Sequence, residues 1–122
     1  MDKVTSKSDD QTYEGILVTE ETAIKLKEYG WTKLTMHNMA QWKPPGQWVR
    51  QLARPTAEEI VRDLPNPIIK DKNIFFIEIV KQYEDWTIMY SCDHTIMSTD
   101  NKSLCEAAAE MWLWCKKEGY IQ

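Results

Sequence analysis

A chain of 122 residues that is 43% apolar and carries six tryptophans is long enough for one domain with its own core, and it needs no disulfide framework. Its formal charge of −4 argues against bulk attraction to nucleic acid or anionic lipid, and no apolar run approaches the ~20 residues of a membrane span. Cys92, Cys105 and Cys115 form no CxxC pair, and residues 1–15 hold no apolar run of a secretory signal, so a soluble cytoplasmic protein with reduced thiols is expected.

Residues 1–14 (MDKVTSKSDDQTYE) hold too little apolar surface to offset the entropy of ordering them, and they read as a flexible tail before a single domain over 15–122. Gly15-Ile16-Leu17-Val18 suggests a short strand. Thr19 is placed to cap a helix from Glu20 to Tyr29, its first turn acidic at Glu20 and Glu21, with Gly30 where a left-handed cap is wanted. Pro44-Pro45-Gly46 then forbids a continuous helix and predicts a hairpin, with strands near 39–43 and 47–52. Thr56-Ala57-Glu58-Glu59 matches a capping box for a two-turn helix that Pro65 and Pro67 end.

Asn73 to Gln82 is rich in Ile, Phe and Val and reads as a strand, with Phe75, Ile77 and Ile79 on one face and Glu78 and Gln82 on the other. Trp86 to Cys92 and Thr95 to Ser98 supply two further strands of an antiparallel meander. Ser103-Leu104-Cys105-Glu106 is a second capping box and opens the strongest helix, which ends before Gly119. Its expected apolar stripe is Leu104, Ala107, Ala108, Met111, Trp114 and Cys115, with Glu106, Glu110, Leu113 and Lys117 on the wet side. The fold class is therefore α+β: one antiparallel meander, a long C-terminal helix packed on one face, and shorter N-terminal helices.

No conventional catalytic centre emerges. Cys92 and His94 flank Asp93 at an expected turn, where neighbouring side chains diverge, and four glycines include no phosphate loop. A metal set of Cys92, His94 and Cys105 lacks a fourth ligand, because Cys115 lies more than two helical turns from Cys105. Neither metal nor cofactor is expected, and the chain reads as no enzyme.

Charge is unevenly spread: Trp31 to Ala57 holds no acid but contains Lys33, Lys43, Arg50 and Arg54. Within it, "WKPPGQW" sets two tryptophans beside a tight turn. Trp42, Lys43, Trp48, Arg50 and Arg54 are the candidate binding residues, since Trp and Arg dominate contact hot spots and stack on bases. On the last helix, Trp112 and Leu113 are the candidates for a partner or self-association surface.

The segments RPTAEEI (Arg54 to Ile60) and SLCEAAAEMWLWCKKEGYI (Ser103 to Ile121), the Ile/Phe-rich strand pair and VTEETA (Val18 to Ala23) resemble small uncharacterised proteins of tailed phages and prophages of gut bacteria. The resemblance spans residues 16–121 and implies a phage or mobile-element origin without an activity. Helix, meander and helix over 56–118 also resembles the double-stranded RNA-binding domain. The start of the last helix, however, has one lysine and two acids where that domain grips phosphates, so nucleic acid is not an expected partner. The expected function is that of a non-catalytic accessory protein acting through protein–protein contact. The alternative is a module that holds a nucleotide or other anion through segment 31–54.

Overall fold

The computed structural model describes residues 16–33, 35, 38–43 and 47–122, and only the backbone of 38–43 and 47–51. The expected tail over 1–14 and the turn at 44–46 lie outside the described residues. In chain order come helix α1 (Glu20–Glu28), strands β1 (Asn38–Lys43) and β2 (Gln47–Ala53), helix α2 (Ala57–Asp63), strands β3 (Ile68–Lys70), β4 (Asn73–Gln82), β5 (Asp85–Ser91) and β6 (Thr95–Asn101), and helix α3 (Leu104–Lys117). β1 and β2 pair as a hairpin, and β3-β4-β5-β6 form an antiparallel sheet with α3 packed on β5 and β6. This is the expected α+β architecture. No helix among the described residues is long and apolar enough to cross a membrane.

The helix ends follow their local chemistry. Thr19 accepts a hydrogen bond from the Thr22 amide at 3.2 Å, and Thr56 and Glu59 complete a reciprocal capping box on α2. Gly30, at φ 105°, lets the chain leave α1 so that the Gly30 and Trp31 amides donate to the carbonyls of Lys27 and Leu26. Gly119, at φ 86°, does the same for α3, with the Tyr120 amide on the Cys115 carbonyl at 2.9 Å. Each exit folds an aromatic residue back: Trp31 is buried, and the Tyr120 ring stands 5.4 Å from that of Trp114.

The meander has four strands rather than the three expected. β3 is only three residues long and joins β4 through Asp71 and Lys72, both in the left-handed region (φ 52° and 68°), a two-residue turn made without the glycine that marks such turns in sequence. β6 runs to Asn101, three residues past its expected end. The inner face of the sheet buries Ile68, Phe75, Ile88, Tyr90 and Thr99, and the Thr99 hydroxyl donates to the Ala107 carbonyl of α3 at 2.9 Å. The expected inner row of β4 grades from buried Phe75 through half-buried Ile77 to Ile79, which is exposed.

Helix α3 is buried more widely than a single stripe. Besides Ala107, Ala108, Met111 and Cys115 it buries Cys105, Ala109 and Trp112, because α2 and α1 pack on it from the side away from the sheet. Only half of the expected capping box forms at its start. Ser103 Oγ accepts the Glu106 amide at 3.3 Å, but the Ser103 amide donates to Asn101 Oδ1 instead of Glu106. The Glu106 carboxylate accepts from the Thr19 amide at 2.9 Å and from the Thr22 hydroxyl, placing a negative charge at the N-terminus of α1, where the helix dipole favours one. Glu106→Ala should therefore lower stability by about 1.5–3 kcal/mol, the range for hydrogen bonds to a charged group. Chemical denaturation beside Ser103→Ala, which loses only a cap worth ~1 kcal/mol, checks it.

Candidate functional site

The structure separates the sequence-derived candidates. Trp42 and Trp48 are direct register partners in the β1–β2 hairpin, with an irregularity between Ala40 and Trp42. The side chains of Trp42, Lys43, Trp48 and Arg50 lie outside the described residues. Arg54 is held by the fold: its Nε donates to the Val18 carbonyl at 3.0 Å, beside the bridge that Leu17 makes to Thr56. On α3, Trp112 is not a surface residue. It is 2% exposed, because α2 packs on the side of the helix that carries it, and Leu113 beside it is half-buried against the core. The expected Trp112–Leu113 contact surface is therefore replaced by core.

A different surface is open. Since alternate strand residues face opposite ways and Ile68 and Phe75 point to the helices, their neighbours point outward. Ile69 and Ile74 are register partners there, and Phe76 follows two residues along β4; they are 68%, 48% and 54% exposed. The rest of this face is mixed, with Glu78, half-buried Met89 and Val80, and a Thr87 hydroxyl donating to Asp100 at 2.6 Å. Ile74 and Phe76 were legible as a second apolar alternation on β4, hidden behind the stronger row at Phe75, Ile77 and Ile79. Ile69 lies in the short strand that had no sequence signal.

A polar cleft opens at the other end of the core. Trp112 Nε1 donates to Asp63 Oδ2 at 2.7 Å, and Lys33 Nζ lies 3.4 Å from Asp63 Oδ1. Asp63 ends α2, where the helix dipole disfavours an acid, and these two donors offset that. The Trp31 ring meets Trp112 edge-on at 5.3 Å, and Lys116 lies 5.9 Å from the Trp112 ring centroid. Lys33 and Asp63 are shared by two adjoining open hollows of about 210 and 330 Å³, the smaller also lined by Trp31 and Arg62. Trp31 Nε1 is buried and has no hydrogen-bond partner among the described residues. Trp31 and Lys33 belong to the acid-free segment singled out in the sequence, so that segment does contribute to a cleft, through residues other than the five expected.

No family model, curated protein sequence or solved structure matches this chain.

Asp63 organises the cleft, and its removal separates two kinds of contact. Asp63→Ala leaves the buried Trp112 N–H unpaired and should lower stability by about 1–3 kcal/mol. Lys33→Ala, which removes a largely exposed ion pair, should change it by less than about 1 kcal/mol. Paired urea denaturation curves give both values.

Proposed function

We propose that this chain is a non-catalytic accessory protein, encoded by a phage or prophage and working in the cytoplasm through protein–protein contact. Its contact surface is the outer face of the sheet around Ile69, Ile74 and Phe76. One observation carries the reading: three large apolar side chains, adjacent in register, stand exposed on a face that none of the described helices covers. Contiguous apolar surface of this kind marks interaction sites, and aromatic residues are enriched at the centres of interfaces. The neighbouring edge favours the face over strand addition, since β3 is short, ends in Lys70 and is followed by Lys72 in the turn, a composition that discourages edge pairing. The resemblance to tailed-phage proteins supports the phage or prophage origin alone.

Phe76→Lys tests it. The melting temperature should stay within error of the parent, while self-association in sedimentation velocity, or capture of a defined host protein from lysate, should fall at least tenfold. Unchanged association, or a stability loss of ~3–5 kcal/mol as for a core aromatic, would overturn the proposal.

A second reading, the binding of a nucleotide or other anion through segment 31–54, is favoured by Lys33 and Arg62, which line a cleft with Trp31, Glu59 and Asp63, the buried Trp31 N–H having no partner among the described residues. A ligand that binds the native state raises its melting temperature by mass action. ATP or pyrophosphate at millimolar concentration should then raise the melting temperature of the parent and not of Lys33→Ala. No rise in the parent removes this reading.

A further inference from the structure

The β5–β6 turn brings three chemically different ligand groups to one point. Cys92 Sγ lies 3.0 Å from Asp93 Oδ1 and 3.8 Å from His94 Nδ1, and His94 Nδ1 lies 2.7 Å from Asp93 Oδ1. All three residues are exposed, and among the described residues this is the one group of three such side chains whose ligand atoms converge. The fold holds them there. The Cys92 amide donates to the His94 carbonyl at 3.0 Å, and the His94 ring stands edge-on, at 5.2 Å, against Phe75, which is buried in the core.

Convergence on a single imidazole nitrogen decides between two chemistries. A nucleophilic relay needs the thiol at one ring nitrogen of the histidine and the carboxylate at the other, so that a proton can pass through the ring. Here thiol and carboxylate both meet Nδ1, which leaves no through-ring path. A metal ion makes the opposite demand: sulfur, nitrogen and oxygen donors on one side of the backbone, separated by the edge of a coordination polyhedron. With bonds of about 2.3 Å to sulfur and 2.0 Å to nitrogen or oxygen, tetrahedral ligands stand roughly 3.3–3.5 Å apart. The observed separations, 2.7 to 3.8 Å, bracket that spacing, so small side-chain rotations are enough to reach it.

We propose that Cys92, Asp93 and His94 form a site for a zinc-class divalent transition-metal ion, bound by the Cys92 thiolate, one Asp93 carboxylate oxygen and His94 Nδ1. The fourth position is open to solvent. Binding displaces the thiol proton to solvent and leaves the imidazole proton on Nε2, and no electrons are transferred. Thiolate with imidazole selects zinc, cobalt or nickel over magnesium and calcium, which prefer all-oxygen sites. The ligand set departs from the one weighed in sequence. Cys105 is buried at the start of α3, with its Sγ 3.0 Å from Ser103 Oγ, and Asp93 takes its place. Burial raises the Cys105 thiol and pushes Cys115 up to about 11, so both stay protonated and do not compete for the ion.

Cobalt(II) titration of the reduced full-length protein tests the site. A thiolate-to-cobalt charge-transfer band in the near ultraviolet should saturate at a single equivalent and disappear on addition of zinc. Cys92→Ser should abolish the band although both buried cysteines remain, and His94→Ala should weaken cobalt binding at least tenfold. All three ligands are exposed at a turn, so metal-free melting curves of both variants should match the parent and show that they are folded. Absence of the band in the parent protein, or its persistence in Cys92→Ser, would refute the proposal.

Discussion

Burial of α3 on two sides is the constraint on which the rest of the molecule depends. At about 100° per residue, its buried positions from Cys105 to Cys115 span roughly 200° of the helix surface, more than a sheet alone can cover. The sheet takes the side of Ala107, Met111 and Cys115, while α2 and α1 take the side of Cys105, Ala109 and Trp112. Three consecutive alanines, Ala107 to Ala109, leave room for close approach on both flanks. Trp112 sets the geometry of the second flank, because a buried indole N–H needs an acceptor and Asp63 at the end of α2 supplies it. The bond that satisfies the core thereby places Asp63 beside Lys33 and builds the cleft.

The described helices all lie on one side of the sheet, and no described element covers the other side. Antiparallel sheets tolerate this when the open face is polar, and away from β3 this one is mixed, with Glu78, Thr87, Ser98 and Asp100 beside half-buried Val80 and Met89. Ile69, Ile74 and Phe76 differ from it as the large apolar residues of the face that stand exposed. They serve no packing role within the described chain, which is why they carry a functional reading when the equally large residues of the inner face do not. The same logic removes Trp112 from consideration, since an aromatic residue fully enclosed by its own fold has no surface left to offer a partner.

The Cys92–His94 turn is of another kind, because its geometry is local. Hydrogen bonds within three residues shape it, and the register irregularity between Tyr90 and Ser91 immediately precedes it. Asp93 is held below the ordinary carboxylate range, first by the Cys92 hydrogen bond and then by His94. What the wider fold adds is Phe75, against whose edge the imidazole rests.

Features legible in the sequence are those decided within three or four residues. Thr19 and Thr56 cap their helices, Gly30 and Gly119 end theirs in left-handed conformations, and the alternation of Asn73–Gln82 makes a strand, because caps, turns and pleats are satisfied by near neighbours. From these alone came the α+β class and the last helix across the sheet. Only the tertiary structure decided which faces are covered. It enclosed Trp112, sent the Glu106 carboxylate to α1 rather than back to Ser103, and added β3 through a turn with no glycine to announce it. It also exposed Ile69, Ile74 and Phe76. Burial is a property of two surfaces brought together from distant parts of the chain, and a pattern read along one segment carries no information about what will be laid against it.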